Sequence, residues 1–218
     1  MEVTLWGWRA TAAREVVAES IQVMGDNGLN YDRQPVRFRV LNRQDKPSVT
    51  FRQETDRFAG YSWQKALLVF ETPLLVQSRT TDDKGNSQRR ETMAESFHLT
   101  SLIGNAAYDL MAWYLEECQP NEAADAPSRH ILCRALRQSA EQVLEASIDD
   151  WHSHLVPVDL GQRISRSNGR RFPVKGLLGH VEVTGRINEL LPWLIVLECL
   201  GGGQKRSMGF GTTRLWLR

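Results

Sequence analysis

The order of extended and helical segments after residue 64 restricts the fold of this chain more than any other feature of its sequence. The run QKALLVFETPLLVQS (64–78) is apolar and rich in strand-forming residues, and Pro73 inside it predicts a bulge or an edge position. Two long segments with helical spacing follow, then two extended segments, a short helix and a last strand. The predicted segments are a polar loop at 80–88, helices at 91–117 and 128–146, strands at 148–158 and 172–186, a helix at 189–200 and a strand at 209–217. Ser128 and Asn188 are the predicted N-caps of the second and third of these helices.

The segment before residue 64 shows a shorter version of the same alternation. EVTLWGW (2–8) predicts a strand, and ATAAREVVAESIQVM (10–24) predicts an amphipathic helix that stops at Gly25. PVRFRVL (35–41) predicts a strand, with 46–53 as its partner.

The order strand, helices, strand, strand, helix, strand is the βαββαβ order of a ferredoxin-like sandwich with one helix added. The segment before it supplies about half to two-thirds of a second such unit. We therefore predict an α+β protein with tandem ferredoxin-like (RRM-like) domains. The abbreviated N-terminal domain is expected over 1–63, and the C-terminal domain, with the extra helix and a glycine-rich loop, over 64–218.

Basic residues are concentrated toward the C-terminus, although the formal net charge of the 218 residues is only +1. Five basic residues and no acid occur between positions 162 and 175, and no acid follows Glu198. A local field of this kind attracts an anionic partner such as nucleic acid. A solvated basic face is the alternative interpretation.

The cysteine content and hydropathy indicate the compartment. Cys118, Cys133 and Cys199 form no CxxC pair and are typical of buried thiols in a reducing environment. No signal peptide is recognisable, and no run approaches the roughly 20 apolar residues of a membrane span. We therefore expect a cytoplasmic protein with no membrane partner, and no ligand cluster or nucleotide fingerprint predicts a metal or a cofactor.

Three consecutive glycines directly follow an apolar helix in ECLGGGQKRSMGFGTTRLWLR (198–218). Glycines there cost conformational entropy and add no packing, which indicates a requirement for bare backbone. Bare backbone can approach a phosphodiester and offer N–H donors, while neighbouring cations add charge. The predicted binding loop consists of Gly201, Gly202, Gly203, Lys205, Arg206, Gly209 and Gly211. A flexible turn between the helix and the last strand is the alternative.

The stretch that begins FPVKGLLGHVEVTGRINELLPW at residue 172 and runs through this loop is similar to the C-terminal part of a known family. It resembles the CRISPR-associated repeat-RNA (pre-crRNA) processing endoribonucleases of the repeat-associated mysterious protein (RAMP) superfamily. These share a glycine hairpin, a helix with Leu-Pro, a glycine-rich loop with lysine, an FGxG sequence and a final strand. DLGQRISR resembles a family segment with an acid, an arginine, a serine and a following base, here Asp159, Arg163, Ser165 and Arg166. MGDNGLNYDRQPVRFRV and FETPLLVQS resemble earlier family segments.

The resemblance implies binding of CRISPR repeat RNA, often as a hairpin, with contacts from Arg163, Ser165 and Arg166. It also implies metal-independent cleavage, in which a ribose 2′-hydroxyl attacks the adjacent phosphate and leaves a 2′,3′-cyclic phosphate. The processed guide RNA is expected to stay bound and to join other CRISPR effector subunits.

Cleavage of this kind needs a general base for the 2′-hydroxyl. Many relatives carry a histidine for this purpose near the N-terminus, whereas the first histidine here is His98. We expect His98 to be the base, with a structural histidine at the start of the apolar helix as the alternative. Two other functions stay open: a non-catalytic subunit that binds the 3′ handle of the guide RNA, and a domain whose glycine loop holds a small phosphorylated ligand.

Overall fold

The computed structural model of the chain describes residues 12–27, 29–31, 34–37, 39, 50–58, 60–81, 87–91, 94, 97–117, 126–164, 169, 171–204 and 210–218. The helices of this part of the chain are α1 (Arg14–Asn27), α2 (Phe51–Asp56), α3 (Leu99–Glu117), α4 (Ala126–Ser147) and α5 (Ile187–Leu200). The strands are β1 (Leu29–Tyr31), β2 (Gln34–Val36), β3 (Lys65–Leu74), β4 (Gln77–Thr81), β5 (Ser87–Glu91), β6 (Ile148–Ile164), β7 (Arg171–Gly185) and β8 (Thr213–Leu217). The predicted α+β class is confirmed.

A four-stranded antiparallel sheet in the order β6–β7–β3–β8 organises the C-terminal part of the chain. The elements that build it follow the sequence order strand, two helices, strand, strand, helix, strand, as predicted. The pairing of β3 with β7 shifts register between Phe70 and Leu74, so Pro73 lies at a bulge. β3 lies between β7 and β8 in the sheet, so the alternative prediction that Pro73 marks an edge strand is wrong.

The helices cover one face of this sheet. Alternate residues of β3, such as Ala66, Leu68 and Phe70, are buried beneath them. α5 contributes a nearly continuous apolar surface that includes Leu190 and Leu194, both fully buried. Because each such side chain contributes roughly 1.5–3 kcal/mol on burial, α5 is a major part of the core.

The elements before residue 64 differ from the prediction in their details. α1 is confirmed but continues through Gly25 to Asn27. The strand predicted at 35–41 starts at Gln34, ends at Val36 and pairs with β1. The strand predicted at 2–8 lies outside the described residues.

The strand predicted at 46–53 is wrong at its C-terminal end, because helix α2 begins at Phe51. Thr50 and Gln53 form a capping box. The Thr50 hydroxyl accepts a hydrogen bond from the Gln53 N–H (3.2 Å), and Gln53 Oε1 accepts one from the Thr50 N–H (2.7 Å). The T-x-x-Q spacing is the sequence signal of this helix start.

Several boundaries after residue 64 also differ. The loop predicted at 80–88 overlaps β4 at residues 80–81 and β5 at residues 87–88, and its residues 82–86 lie outside the described residues. The helix predicted from residue 91 begins at Leu99. Ser128 lies inside the first turn of α4 and is not its cap. Asn188 lies inside α5, where its side chain accepts from the Trp63 N–H and donates to the Tyr61 carbonyl. β6 extends to residue 164, and the last strand starts at 213.

Among the described residues, no helix combines the length and the apolar character that crossing a bilayer requires.

Candidate nucleic-acid interface

The two ends of the glycine-rich segment 201–211 close on each other at the end of β3. The Gly202 N–H donates to the Gly211 carbonyl (2.7 Å), and the Gly211 N–H donates to the Pro73 carbonyl (3.1 Å). Gly201, Gly202 and Gly211 are buried. We call Gly201, Gly202, Gly203 and Gly211 the loop neck.

Packing explains why three of the neck residues are glycines. Gly211 has φ +71°, and a Cβ there would collide with the Gly202 carbonyl oxygen. Gly203 has φ +72°, and its Cβ would lie 2.5 Å from the Leu75 carbonyl oxygen. A Cβ on Gly202 would lie 3.1 Å from the Leu74 side chain. Bare backbone is therefore required here by the close approach of the neck to the end of β3.

The neck also uses its own hydrogen-bond donors within the protein. The N–H groups of Gly201, Gly202 and Gly211 donate to the carbonyls of Leu197, Gly211 and Pro73, respectively. The next donor, the Gln204 N–H, is bound to the Leu75 carbonyl at 2.8 Å.

The charged residues of the predicted loop follow directly from the neck. Lys205, Arg206 and Gly209 lie outside the described residues. The flanking residues Gln204 and Phe210 connect them to the neck on both sides.

The start of α3 lies against the loop neck. A Cβ on Gly202 would be 3.1 Å from Leu102 Cδ1, in the first turn of the helix. The Leu102 N–H donates to the carbonyl of His98, which immediately precedes α3 (3.2 Å). The His98 side chain is exposed, whereas Phe97 is buried and packs edge-to-face with Trp151. His98 is therefore not part of the buried core.

β6 and β7 extend beyond the sheet as a two-stranded arm, residues 158–164 paired with 171–176. The arm begins beside the neck, because a Cβ on Gly176 would lie 2.9 Å from Pro73 Cβ and 3.3 Å from the Leu75 side chain. The predicted RNA-contacting residue Arg163 lies on this arm, opposite Phe172. Ser165 and Arg166 lie outside the described residues. The structure thus brings the neck and the basic segment of the arm to one end of the sheet, which we call the neck end.

Asp159 of the family-like segment shapes the arm. Its Oδ1 accepts a hydrogen bond from the Gly161 N–H (2.8 Å), and Gly161 has φ +82°. The β6–β7 register shifts between Asp159 and Gln162, so the pair forms a bulge. Asp159 also lies opposite Lys175, an opposite-charge cross-strand position.

The β4–β5 hairpin is a basic element that the sequence analysis did not identify. It starts two residues after Leu75, so it leaves the sheet at the neck end. Its register places Arg79 opposite Arg89 and Ser78 opposite Arg90. The available signal was a pair of polar five-residue segments, QSRTT and SQRRE, on either side of a turn-forming DDKGN.

The other four histidines lie elsewhere. His130 forms a 2.9 Å hydrogen bond with the Tyr108 hydroxyl, and His152 Nδ1 lies 3.5 Å from Asp150 Oδ2. The rings of His154 and His180 stack with centroids 4.7 Å apart. No group of three or more potential metal ligands occurs within the described ranges.

Two of the cysteines match the expected inert thiols. Cys133 is buried, and burial raises its pKa above the usual value. Burial, together with the charges of Glu198 and Glu54, raises the pKa of Cys199 to about 11. Both thiols are therefore protonated at neutral pH. Cys118 lies outside the described residues.

Comparison with known families decides the assignment. The sequence matches the family model of the CRISPR-associated endoribonuclease Cas6 over residues 33–213, which is most of the chain. This chain belongs to the Cas6 family. The family predicted from the glycine loop and the motifs upstream of it is therefore confirmed. No curated protein matches the chain.

Several solved Cas6 structures are similar to this chain at low sequence identity. A Cas6 substrate mimic complex is 17% identical with a TM-score of 0.46, over 94% of this chain and 75% of that chain. Thermus thermophilus Cas6 is 16% identical with a TM-score of 0.40, over 77% of this chain and 58% of that chain. A partial Cas6–RT–Cas1–Cas2 complex is 12% identical with a TM-score of 0.49, over 94% of this chain and 33% of that chain. The chain spans only 56% of a Cas6 product complex that it also matches.

Proposed function

We propose that this Cas6 family member binds CRISPR repeat RNA at the neck end of its sheet and cleaves it as a metal-independent endoribonuclease. The observation that carries the proposal is the convergence of three features in one place. The loop neck, the start of α3 and the base of the β6–β7 arm all contact the end of β3 or each other. Family membership supplies the substrate class.

The loop contributes charge from a fixed base. Gly201, Gly202, Gly203 and Gly211 shape and anchor it, and Gly209 belongs to the proposed RNA-contacting segment. In this proposal Lys205 and Arg206, which follow the neck in the sequence, pair with the phosphate backbone, where neutralised phosphates release counterions. Holding both ends of the loop reduces the ordering entropy that binding costs.

The arm contributes a second set of contacts. Arg163, Ser165 and Arg166 lie on it or directly after it, and arginine both pairs with phosphate and stacks on unpaired bases. The arm and the loop start from the same end of the sheet, so one RNA can contact both. The β4–β5 hairpin, with Arg79 opposite Arg89, extends this basic region.

His98 is the general base of the proposed reaction. It takes the proton from the ribose 2′-hydroxyl, whose oxygen forms a new bond to the adjacent phosphorus as the bond from phosphorus to the 5′-oxygen breaks. Lys205 and Arg206 stabilise the charge on the phosphorane, and the leaving 5′-oxygen takes up a proton. The products are a 2′,3′-cyclic phosphate and a 5′-hydroxyl. The exposure of His98 beside the neck supports this assignment.

The proposal includes the wider organisation of the protein. The domains are an abbreviated ferredoxin-like unit over residues 1–63 and a ferredoxin-like unit over 64–218. The strand order β6–β7–β3–β8, with helices on one face, supports the second of these. The processed guide RNA stays bound and joins other CRISPR effector subunits in the cytoplasm. Another Cas6 occurs in a solved complex with RT, Cas1 and Cas2.

The alternative function applies if the neck end has no functional general base for the cleavage reaction. Of the five histidines, only His98 lies next to the neck, so catalysis has a single histidine candidate. Without it, the same surface would serve a non-catalytic subunit that binds the 3′ handle of the guide RNA.

A cleavage assay with labelled repeat RNA in EDTA separates the two functions. We expect a single cut that a 2′-deoxy substitution at the cut site abolishes. His98→Ala should lower the cleavage rate by roughly 10²–10⁴-fold with little change in affinity, since it removes only the base. His130→Ala is the matched control, because His130 pairs with Tyr108 on another element. Tight binding without any cut would support the non-catalytic subunit, and unimpaired cleavage by His98→Ala would exclude His98 as the base.

A further inference from the structure

The sheet face opposite the helices carries a regular array of partly exposed side chains. Residues of β3 and β7 that point to the helices, such as Leu68 and Val181, are buried, while their sequence neighbours lie on the other face. One cross-strand row consists of His152, Glu182, Leu67 and Trp216. The next row consists of His154, His180, Val69 and Arg214. We call these two rows the open face.

Planar rings are distributed across the open face. Trp216 on β8 is 61% exposed, although indole normally stabilises a protein by being buried. His154 and His180 stack across β6 and β7 with an interplanar angle of 29°. From β6 to β8 the face spans three strand spacings, about 14 Å, which is wide enough for more than one nucleotide. Exposed rings on a sheet are platforms on which unpaired bases stack.

Two carboxylates near these rings, Glu182 and Glu71, are paired with cations of the same surface. Lys65 Nζ lies 2.5 Å from Glu182 Oε2, and Arg214 Nε lies 3.1 Å from Glu71 Oε1. The hydrogen bond and the charge of Lys65 hold the pKa of Glu182 below its usual value. A phosphate chain that crosses β3 and β7 at these two positions therefore meets ion pairs and not isolated carboxylates.

The open face is continuous with the neck end. β8 begins at Thr213, two residues after Gly211 of the neck, and its next residue, Arg214, belongs to the second row. β3 also runs from the open face to the neck at Pro73. An RNA strand that leaves the loop along β8 thus passes over Arg214 and Trp216 of the open face.

We propose that the open face binds unpaired nucleotides that flank the RNA hairpin held at the neck end, with Trp216 and the His154–His180 pair as the stacking platform. This inference rests on the proposed function and extends it to the single-stranded part of the RNA. The open face then serves for base stacking and is not buried against another protein.

The test compares two labelled RNAs, the repeat hairpin alone and the same hairpin with a ten-nucleotide uridine extension on either side, by measuring dissociation constants. Wild-type protein should bind the extended RNA more tightly than the bare hairpin. Trp216→Ala should lose roughly 5- to 100-fold affinity for the extended RNA only, because stacking on one base is removed. Trp216→Phe should restore most of the loss. Tyr61→Ala is the control, because Tyr61 is a similarly exposed ring (64%) outside the open face.

The outcomes distinguish this inference from the proposed function. An extension that adds no affinity, or a gain that Trp216→Ala leaves intact, would overturn the stacking platform while hairpin binding stands. A lower melting temperature for Trp216→Ala, with equal effects on both RNAs, would show that protein covers the face and would also overturn it. If the hairpin alone fails to bind while a free uridine decamer binds in a Trp216-dependent way, the proposed function fails and the platform is supported.

Discussion

Gly211 illustrates how much of the candidate site depends on single residues without side chains. Its φ of +71° is costly for any other residue, and its position against the Gly202 carbonyl leaves no room for a Cβ. The hydrogen bond from its N–H to Pro73 ties the returning end of the loop to β3. One glycine therefore closes the neck and fixes where Lys205 and Arg206 are attached.

Gly211→Ala should lower the free energy of unfolding by roughly 2–5 kcal/mol, because it combines backbone strain with steric overlap. Gly60→Ala is the matched control. Gly60 also has a positive φ, +93°, but open space surrounds its Cβ position, so only strain of about 1–2 kcal/mol is expected. Guanidinium unfolding curves measure both. Equal destabilisation by the two substitutions would contradict the packing account of the neck.

Sequence reasoning at this scale singled out the glycines of the loop but gave an incomplete reason for them. The glycines indicated a need for bare backbone, and the structure supplies packing partners for Gly202, Gly203 and Gly211 that no local pattern could reveal. The contact between Gly202 and Leu102 joins positions a hundred residues apart, and only the fold brings them together. For His98 the sequence left a structural role open as the alternative. In the fold, its neighbour Phe97 fills the core position and His98 is exposed.

At the scale of elements, long periodic segments were predicted correctly and short polar ones were not. α3, α4, α5 and β3 each bury an apolar face, which leaves a period in the sequence. α2 and the β4–β5 hairpin have no such face. The Thr50–Gln53 capping box marks the start of α2 instead, and in the sequence a turn-forming DDKGN stands between the two strands of the hairpin.

The β4–β5 hairpin gives a prediction at this scale. Replacing both Arg79 and Arg89 by alanine should weaken binding of the repeat hairpin by at least about tenfold, since hydrogen bonds to charged groups contribute about 1.5–3 kcal/mol each. The paired lysine substitutions, Arg79→Lys with Arg89→Lys, keep the charge and should retain most of the affinity. Filter binding with labelled RNA provides the comparison. Full affinity in the double alanine variant would remove the hairpin from the proposed interface.

At the scale of the whole molecule, the element order predicted the architecture because few sheet topologies accommodate it. When the connecting helices all lie on one face of the sheet, β3 takes an interior position. One end of β3 is therefore where the neck, α3 and the arm meet. The sequence could indicate two separate basic segments, at 162–175 and 205–206, but not that the β6–β7 arm and the loop neck start at one location. That location depends on β7 pairing beside β3, a contact across more than a hundred residues.

The central claim is that RNA binds at the neck end through Lys205 and Arg206. The most direct measurement is the salt dependence of the dissociation constant for repeat RNA, in wild type and in the variant Lys205→Ala with Arg206→Ala. Arg186→Ala is the control, because Arg186 is an exposed cation just before the opposite end of the 14-residue helix α5, about 20 Å from the loop. The double variant should bind more weakly, with a slope of log K against log salt that is smaller by about 1.4–1.8, while Arg186→Ala keeps the wild-type slope. An unchanged slope and affinity in the double variant would contradict the account.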